Sequence, residues 1–253
     1  MSQGTVPTTS IGENAEVQDR QEICISDNQL STERAEKIYN SLPLIDPELR
    51  GLLHGDRTTP ELTIIERQRI TDFAQTEALR LVAEGVVPNS LKFPVNVISV
   101  ANSLGVSVKQ VRIKDKTPQD HPIAGIITKK AGEAGATILV SIENSVDRMR
   151  FTVAHELAHY VTWRREISPS RWLEYRGSDT RSVEEGDTDP IQFCANTFAH
   201  NFLIPNYALA TKLQEGPSIE QLAGIFGVSE TGMRRRMTYF DLMTQTYPTD
   251  TLV

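Results

Sequence analysis

One short stretch constrains this chain more than any other: His155-Glu156-Leu157-Ala158-His159, set inside Arg150-Phe151-Thr152-Val153-Ala154-His155-Glu156-Leu157-Ala158-His159-Tyr160-Val161. On an α-helix, residues four apart lie on one face, one turn above the other. Two imidazoles so placed can hold one metal ion together. A carboxylate one step on from the first can reach a water on that ion. Phe151, Val153, Ala154, Leu157, Ala158 and Val161 make the stretch apolar enough to be buried. Two histidines and a glutamate in a buried helix are costly unless they are paired or metal-bound. The plainer reading is a core helix with two hydrogen-bonded histidines. The favoured one is a Zn2+ site with His155 and His159 as ligands and Glu156 as the catalytic base.

The totals bound what surrounds this site. The chain has 253 residues, enough for one large domain or two small ones. Its formal net charge of -7 carries no global signature of nucleic-acid binding. No run of eighteen apolar residues is present, so no membrane span is expected. The first twenty residues have neither a basic segment nor an apolar one, as a secretory signal would require. Cys24 and Cys194 are the only cysteines, too few for a disulfide framework or a cysteine-type zinc site. A cytoplasmic location is the simplest expectation.

Residues 1–60 read as a weakly structured extension. It holds a short helix over Ser31–Tyr39, and Pro43, Pro47 and Gly51 break the pattern after it. Residues 61–210 read as the main domain. An amphipathic helix is expected over 63–84, with Ile70, Phe73, Ala74, Ala78 and Leu81 near one stripe. A second helix is expected from Pro94 to Gly105, then a strand over Val106–Val111. Residues 123–128 and 137–142 are β-rich and joined by a Gly-containing linker, which predicts an antiparallel hairpin. The edge of such a hairpin can pair with an extended peptide. The polar stretch 163–189 is long for a loop and is expected to border a cleft. Asp189-Pro190 then opens a helix that stops before Pro205.

Residues 211–245 hold a further pattern. Ser218 to Arg236 reads as helix, Gly227-centred turn, and a second helix capped by Ser229. The exposed side of the second helix is expected to carry Arg234 to Arg236. Contact with DNA through 218–236 is the sharper reading. A helical pair packed on the domain is the preferred one, given the acidic balance of the chain.

Together these residues resemble the ImmA/IrrE family of metallopeptidases. The resemblance rests on the stretch from Arg150 to Tyr160 and on Ala195-Asn196-Thr197-Phe198-Ala199-His200-Asn201-Phe202-Leu203-Ile204-Pro205. The hairpin, the helix before it and the helical end also fit, over roughly residues 65 to 240. The resemblance implies an α+β, zincin-like peptidase domain with a small antiparallel sheet and the His155–His159 helix, followed by a helix-turn-helix-like pair. It implies an intracellular endopeptidase whose protein substrate is a helix-turn-helix repressor, cut so that repressed genes are released.

The chain departs from the family pattern at the third metal ligand. The family places a glutamate four residues before the asparagine of the second motif; here that position is Gln192. Gln192 as a neutral ligand, Asp189 as its replacement, and a contribution from Glu184, Glu185 or Asp187 all stay open. His200 lies more than two turns beyond Gln192 and is discounted. Arg165 stands where a longer three-histidine pattern would need a histidine. The rival expectation is a lapsed peptidase that binds a repressor or DNA without cutting.

Overall fold

The computed structural model describes residues 47–54, 61–83, 93–113, 123–128, 135–163 and 189–246. The expected helix over Ser31–Tyr39 and most of the polar stretch 163–189 lie outside them. In chain order the described elements are α1 (Pro47–His54), α2 (Ile64–Ala83), α3 (Val97–Ser103), β1 (Val106–Val111), β2 (Gly125–Thr128), β3 (Ala136–Ser141), α4 (Val146–Trp163), α5 (Pro190–Leu203), α6 (Asn206–Leu213), α7 (Ile219–Phe226) and α8 (Glu230–Thr246). The fold is α+β.

Helix α1 departs from the expectation of a broken pattern at Pro47 and Gly51. Pro47 opens it, where the missing amide is harmless. Leu49 and Leu53, four apart, are both buried against the domain. Their burial offsets the cost of an interior glycine. The Glu48 carboxylate also accepts from the Arg69 guanidinium on α2.

Helix α2 has the expected stripe, with Ile70, Ala74, Ala78 and Leu81 fully buried. It packs along α5, where the Arg67 guanidinium lies over the Phe193 ring at 5.1 Å. Helix α3 begins at Val97 rather than at Pro94. Asn96 caps it, its Oδ1 accepting from the Ser99 amide at 3.0 Å.

The sheet corrects the expectation of an antiparallel one. The β2–β3 hairpin is antiparallel, with Gly125 opposite Val140 and Thr128 opposite Thr137. β1 pairs in parallel with β3, from Val106 opposite Ala136 to Val111 opposite Ser141. The order is β1-β3-β2, a mixed sheet. Alternation of apolar and polar residues identifies a strand but not the direction of its partner. β3 is the most buried strand, with Ile138 and Val140 inaccessible, and it takes the centre. The less buried β1 and β2 take the edges.

Helix α4 lies across this sheet. Gly125 of β2 lets it approach: a Cβ there would stand 2.3 Å from Thr152 Cγ2. Tyr160 of α4 donates from its hydroxyl to the Leu104 carbonyl at 3.3 Å, tying the helix to the end of α3.

The C-terminal pair forms as expected. Ser218 and Gln221 make a reciprocal capping box at the start of α7. Gly227 ends α7 at φ 62°, a left-handed conformation that favours glycine. Ser229 caps α8 by accepting from the Gly232 amide at 3.1 Å. Leu222, Ala223, Phe226 and Met233 join the same core as the rest of the domain.

The expected basic face fails at Arg236, which is only 3% exposed. Its Nε donates to the Ile204 carbonyl at 3.1 Å, and Nη2 donates to Asn201 Oδ1 at 2.9 Å and to Asn206 Oδ1. Arg236 lies three residues after the fully buried Met233, so it shares the inward face of α8. Arg234 and Arg235 stay at the surface, Arg234 paired with Glu230 at 3.7 Å.

Candidate metal centre

The centre is built where α4 meets α5. Two pairs of side chains fix how the helices face each other. The Phe151 and His200 rings are 5.1 Å apart between centroids. His155 Nδ1 lies 2.9 Å from Asn196 Oδ1. Advancing four residues on α4 therefore means retreating four on α5, so the helices run antiparallel. The same spacing leads back one more turn of α5, from Asn196 to Gln192.

Local chemistry makes α4 fit for this position. Its apolar residues Val153, Ala154, Leu157, Ala158 and Tyr160 are buried. Its hydroxyls are satisfied within the helix: Thr152 donates to the Arg148 carbonyl at 2.8 Å and Thr162 to the Ala158 carbonyl at 2.9 Å. Arg150 holds the helix to the C-terminal pair, donating from Nε to the Gly227 carbonyl at 2.8 Å and from Nη2 to the Phe226 carbonyl at 3.3 Å. A Cβ at Gly227 would stand 2.9 Å from Arg150 Nε, so the turn needs glycine for space as well as for conformation.

His155 and His159 converge as their spacing predicts. Their Nε2 atoms are 3.1 Å apart, with ring planes at 78°. Two nitrogen ligands of a tetrahedral zinc ion, each at about 2.0–2.1 Å, stand roughly 3.3 Å from one another. The two imidazoles therefore fit a shared zinc ion. His159 is 2% exposed and Glu156 1%, while His155 is half-buried. Glu156 is adjacent to His155 on the same turn, as the sequence requires.

The third position resolves differently for the two candidates. Asp189 is the N-cap of α5, its Oδ1 accepting from the amides of Ile191 at 2.8 Å and Gln192 at 3.5 Å. Among the described residues no set of three His, Cys, Asp or Glu side chains is grouped to hold a metal ion. Asp189 thus does not complete a ligand set with the two histidines. Gln192 lies one turn before Asn196 on α5, the spacing that puts two residues on the same side of a helix. Glu184, Glu185 and Asp187 lie outside the described residues.

Two neighbours are set aside by their environments. His200 packs on Phe151. Burial, then the charges of Arg236 and Arg235 and proximity to His155, push its pKa down to about 3, so it stays neutral near neutral pH. Cys194 is buried, and burial with the nearby Glu77 charge pushes its thiol up to about 12. It is a packing residue without thiolate chemistry.

Two residues of this region were not singled out for a role from sequence: Asn196, which contacts His155, and Arg150. Asn196 is four residues after Gln192 in the second motif, and that spacing was the available signal.

A family model described as Peptidase M78, IrrE N-terminal-like domain, matches residues 101–238, more than half of the chain. No curated protein matches the chain. Among solved structures, the chain is similar to a Mycobacterium tuberculosis transcriptional regulator at 17% identity and a TM-score of 0.43, covering 68% of this chain and 51% of that one. It therefore spans about half the length of that structure.

Proposed function

The chain belongs to the Peptidase M78 (IrrE N-terminal-like) family, and from that premise we propose that it is a zinc-dependent, cytoplasmic endopeptidase that cuts a helix-turn-helix transcriptional repressor. The observation that carries the reading is the convergence of the His155 and His159 Nε2 atoms to 3.1 Å on a buried helix. A zinc ion held there by the two histidines, with Gln192 at the third position, would supply Lewis acidity and an activated water. Glu156 takes the water's proton at its carboxylate and passes it to the departing amine. Near-complete burial of Glu156 limits competing bulk water. The antiparallel hairpin supports a peptide substrate, because β2 is an edge strand. The repressor as substrate rests on the family resemblance. Among the described residues no helix is long and apolar enough to cross a membrane.

The test is zinc content with cleavage of a co-expressed repressor. We expect about one zinc per wild-type chain and its loss in His155→Ala. Glu156→Gln should keep the metal and lose cleavage by roughly 10²-fold or more. Full cleavage by that variant overturns the mechanism.

A second reading has one observation in its favour. Gln192 leaves the third position neutral where a carboxylate would compensate the metal's charge. A chain that takes up no zinc yet still binds its repressor would be a regulatory binding protein.

A further inference from the structure

We infer that Asn196 is a positioning residue for the metal centre: its side-chain oxygen fixes His155 in the tautomer whose Nε2 lone pair faces His159. This deepens the metal reading and rests on it. A carboxamide oxygen only accepts hydrogen bonds. With Asn196 Oδ1 2.9 Å from His155 Nδ1, that nitrogen carries the proton. Nε2 is then left with its lone pair, 3.1 Å from His159 Nε2, where a shared metal ion would be held.

The surroundings make this bond a constraint. Asn196 sits in the middle of α5, between the buried residues Ala195 and Thr197, and is itself 7% exposed. Asparagine is a poor residue for a helix interior, and a buried carboxamide is costly unless hydrogen-bonded. The bond to His155 satisfies its oxygen. On the neighbouring turn of α4 the Phe151 ring stands 6.3 Å from the His155 ring, centroid to centroid. His155 is thus set between the Phe151 ring and the Asn196 acceptor. His155 is half-buried, unlike His159, so it has more freedom to lose. An unanchored histidine prefers the opposite tautomer, with the proton on Nε2, which cannot bind a metal through that atom.

Asn196 also differs in role from Gln192, one turn earlier on the same face. Gln192 is the candidate to touch the metal. Asn196 acts through His155. Losing such an outer hydrogen bond typically lowers metal affinity on the order of 10–100-fold.

Two measurements on the full chain test this. The first is the ring-nitrogen NMR of His155 in metal-stripped protein, which needs no activity and no metal. A protonated Nδ1 and bare Nε2 are expected; a protonated Nε2 overturns the proposal. The second is cobalt(II) affinity, followed by visible absorption, for wild type, Asn196→Leu and Asn196→Asp. The leucine variant should bind 10–100-fold more weakly, while the aspartate variant, which keeps an acceptor, should bind at least as tightly as wild type. Equal affinity of wild type and the leucine variant overturns it. Absence of cobalt binding by the wild type would instead defeat the metal reading, with the NMR result still deciding the role of Asn196. Should Asn196→Leu not fold, the wild-type NMR spectrum decides alone.

Discussion

The joint between α4 and α5 and the joints that tie these two helices to the α7–α8 pair are all made by polar side chains, yet they use them in opposite ways. Between α4 and α5 the polar groups meet each other: His155, itself beside His159 on α4, meets Asn196 on α5. At the α7–α8 pair two guanidinium groups reach across to backbone carbonyls and, from Arg236, to the side-chain oxygens of Asn201 and Asn206 as well. Arg236 grips the Ile204 carbonyl near the end of α5, and the carbonyls of Phe226 and Gly227 receive Arg150 from α4. The first arrangement leaves donor atoms converging on a point where a metal ion fits. The second uses up charge and carbonyls in fastening elements together. Each of α4 and α5 thus has one guanidinium clamp to the C-terminal pair. The helix-turn-helix pattern serves here as a brace, whatever else its outer surface does.

The largest test of that contrast is Arg236→Ala. It removes a buried cation and leaves the Ile204 carbonyl and the side-chain oxygens of Asn201 and Asn206 without it. We expect a loss of about 3 kcal/mol in unfolding free energy. A loss below about 1 kcal/mol in urea titrations would mean that the clamp is ornamental and the two pairs are energetically alike.

The next effect reads the joint between the pairs. His200 is held neutral chiefly by burial, with Arg236, Arg235 and His155 adding to it, at a pKa of about 3 against 6.5 for the free side chain. The unfolded chain takes up this proton as pH falls below 6.5 and the folded chain does not. Stability from this group is therefore complete above pH 6.5 and is lost as pH falls toward 3. Between pH 7 and pH 5 it amounts to about 2 kcal/mol. Urea midpoints for wild type and His200→Gln at both pH values check it. Equal pH sensitivity in the two proteins would mean that the folded chain protonates His200 as readily as the unfolded one.

How much of this was legible beforehand differs between the pairs for a physical reason. The spacing of His155 and His159 dictates a shared face on any helix, so their convergence followed from the sequence. Asp189 and Pro190 likewise announced the start of α5, because a cap and a fixed φ are local properties. The role of Asn196 depends on the register of α5 against α4, which no local pattern encodes. The same holds for the parallel pairing of β1 with β3. Arg236 departs from the expected basic face for a different reason. A run of three arginines looks like a solvated face until the helix phase is known, and Met233 sets that phase. Leu49 and Leu53 show the converse: tertiary burial forms a helix through residues whose local preferences oppose it.

A smaller effect sharpens the metal side of the comparison. If Gln192 faces the metal, Gln192→Glu supplies a carboxylate and should tighten zinc binding about tenfold, or roughly 1.4 kcal/mol. Competition with a chromogenic chelator measures it. Unchanged affinity would remove Gln192 from the centre and leave Asn196 as the sole contribution of α5.

The smallest expected effect bears on the outer face of α8. Arg234 and Glu230 pair at 3.7 Å with both side chains more than half exposed. An exposed pair of this kind is worth about 0–1 kcal/mol, and Arg234→Ala should cost under about 0.5 kcal/mol. Arg236→Ala should cost several times more, although the two residues are neighbours in one basic run. Equal costs would break the division of α8 into an inner, fastening face and an outer, solvated one. The same variant also addresses DNA. If the outer face touches phosphate, Arg234→Ala weakens binding to duplex DNA and lowers the salt slope by about 1. If α8 is only a brace, neither stability nor DNA affinity moves, and the basic run divides by helix phase alone.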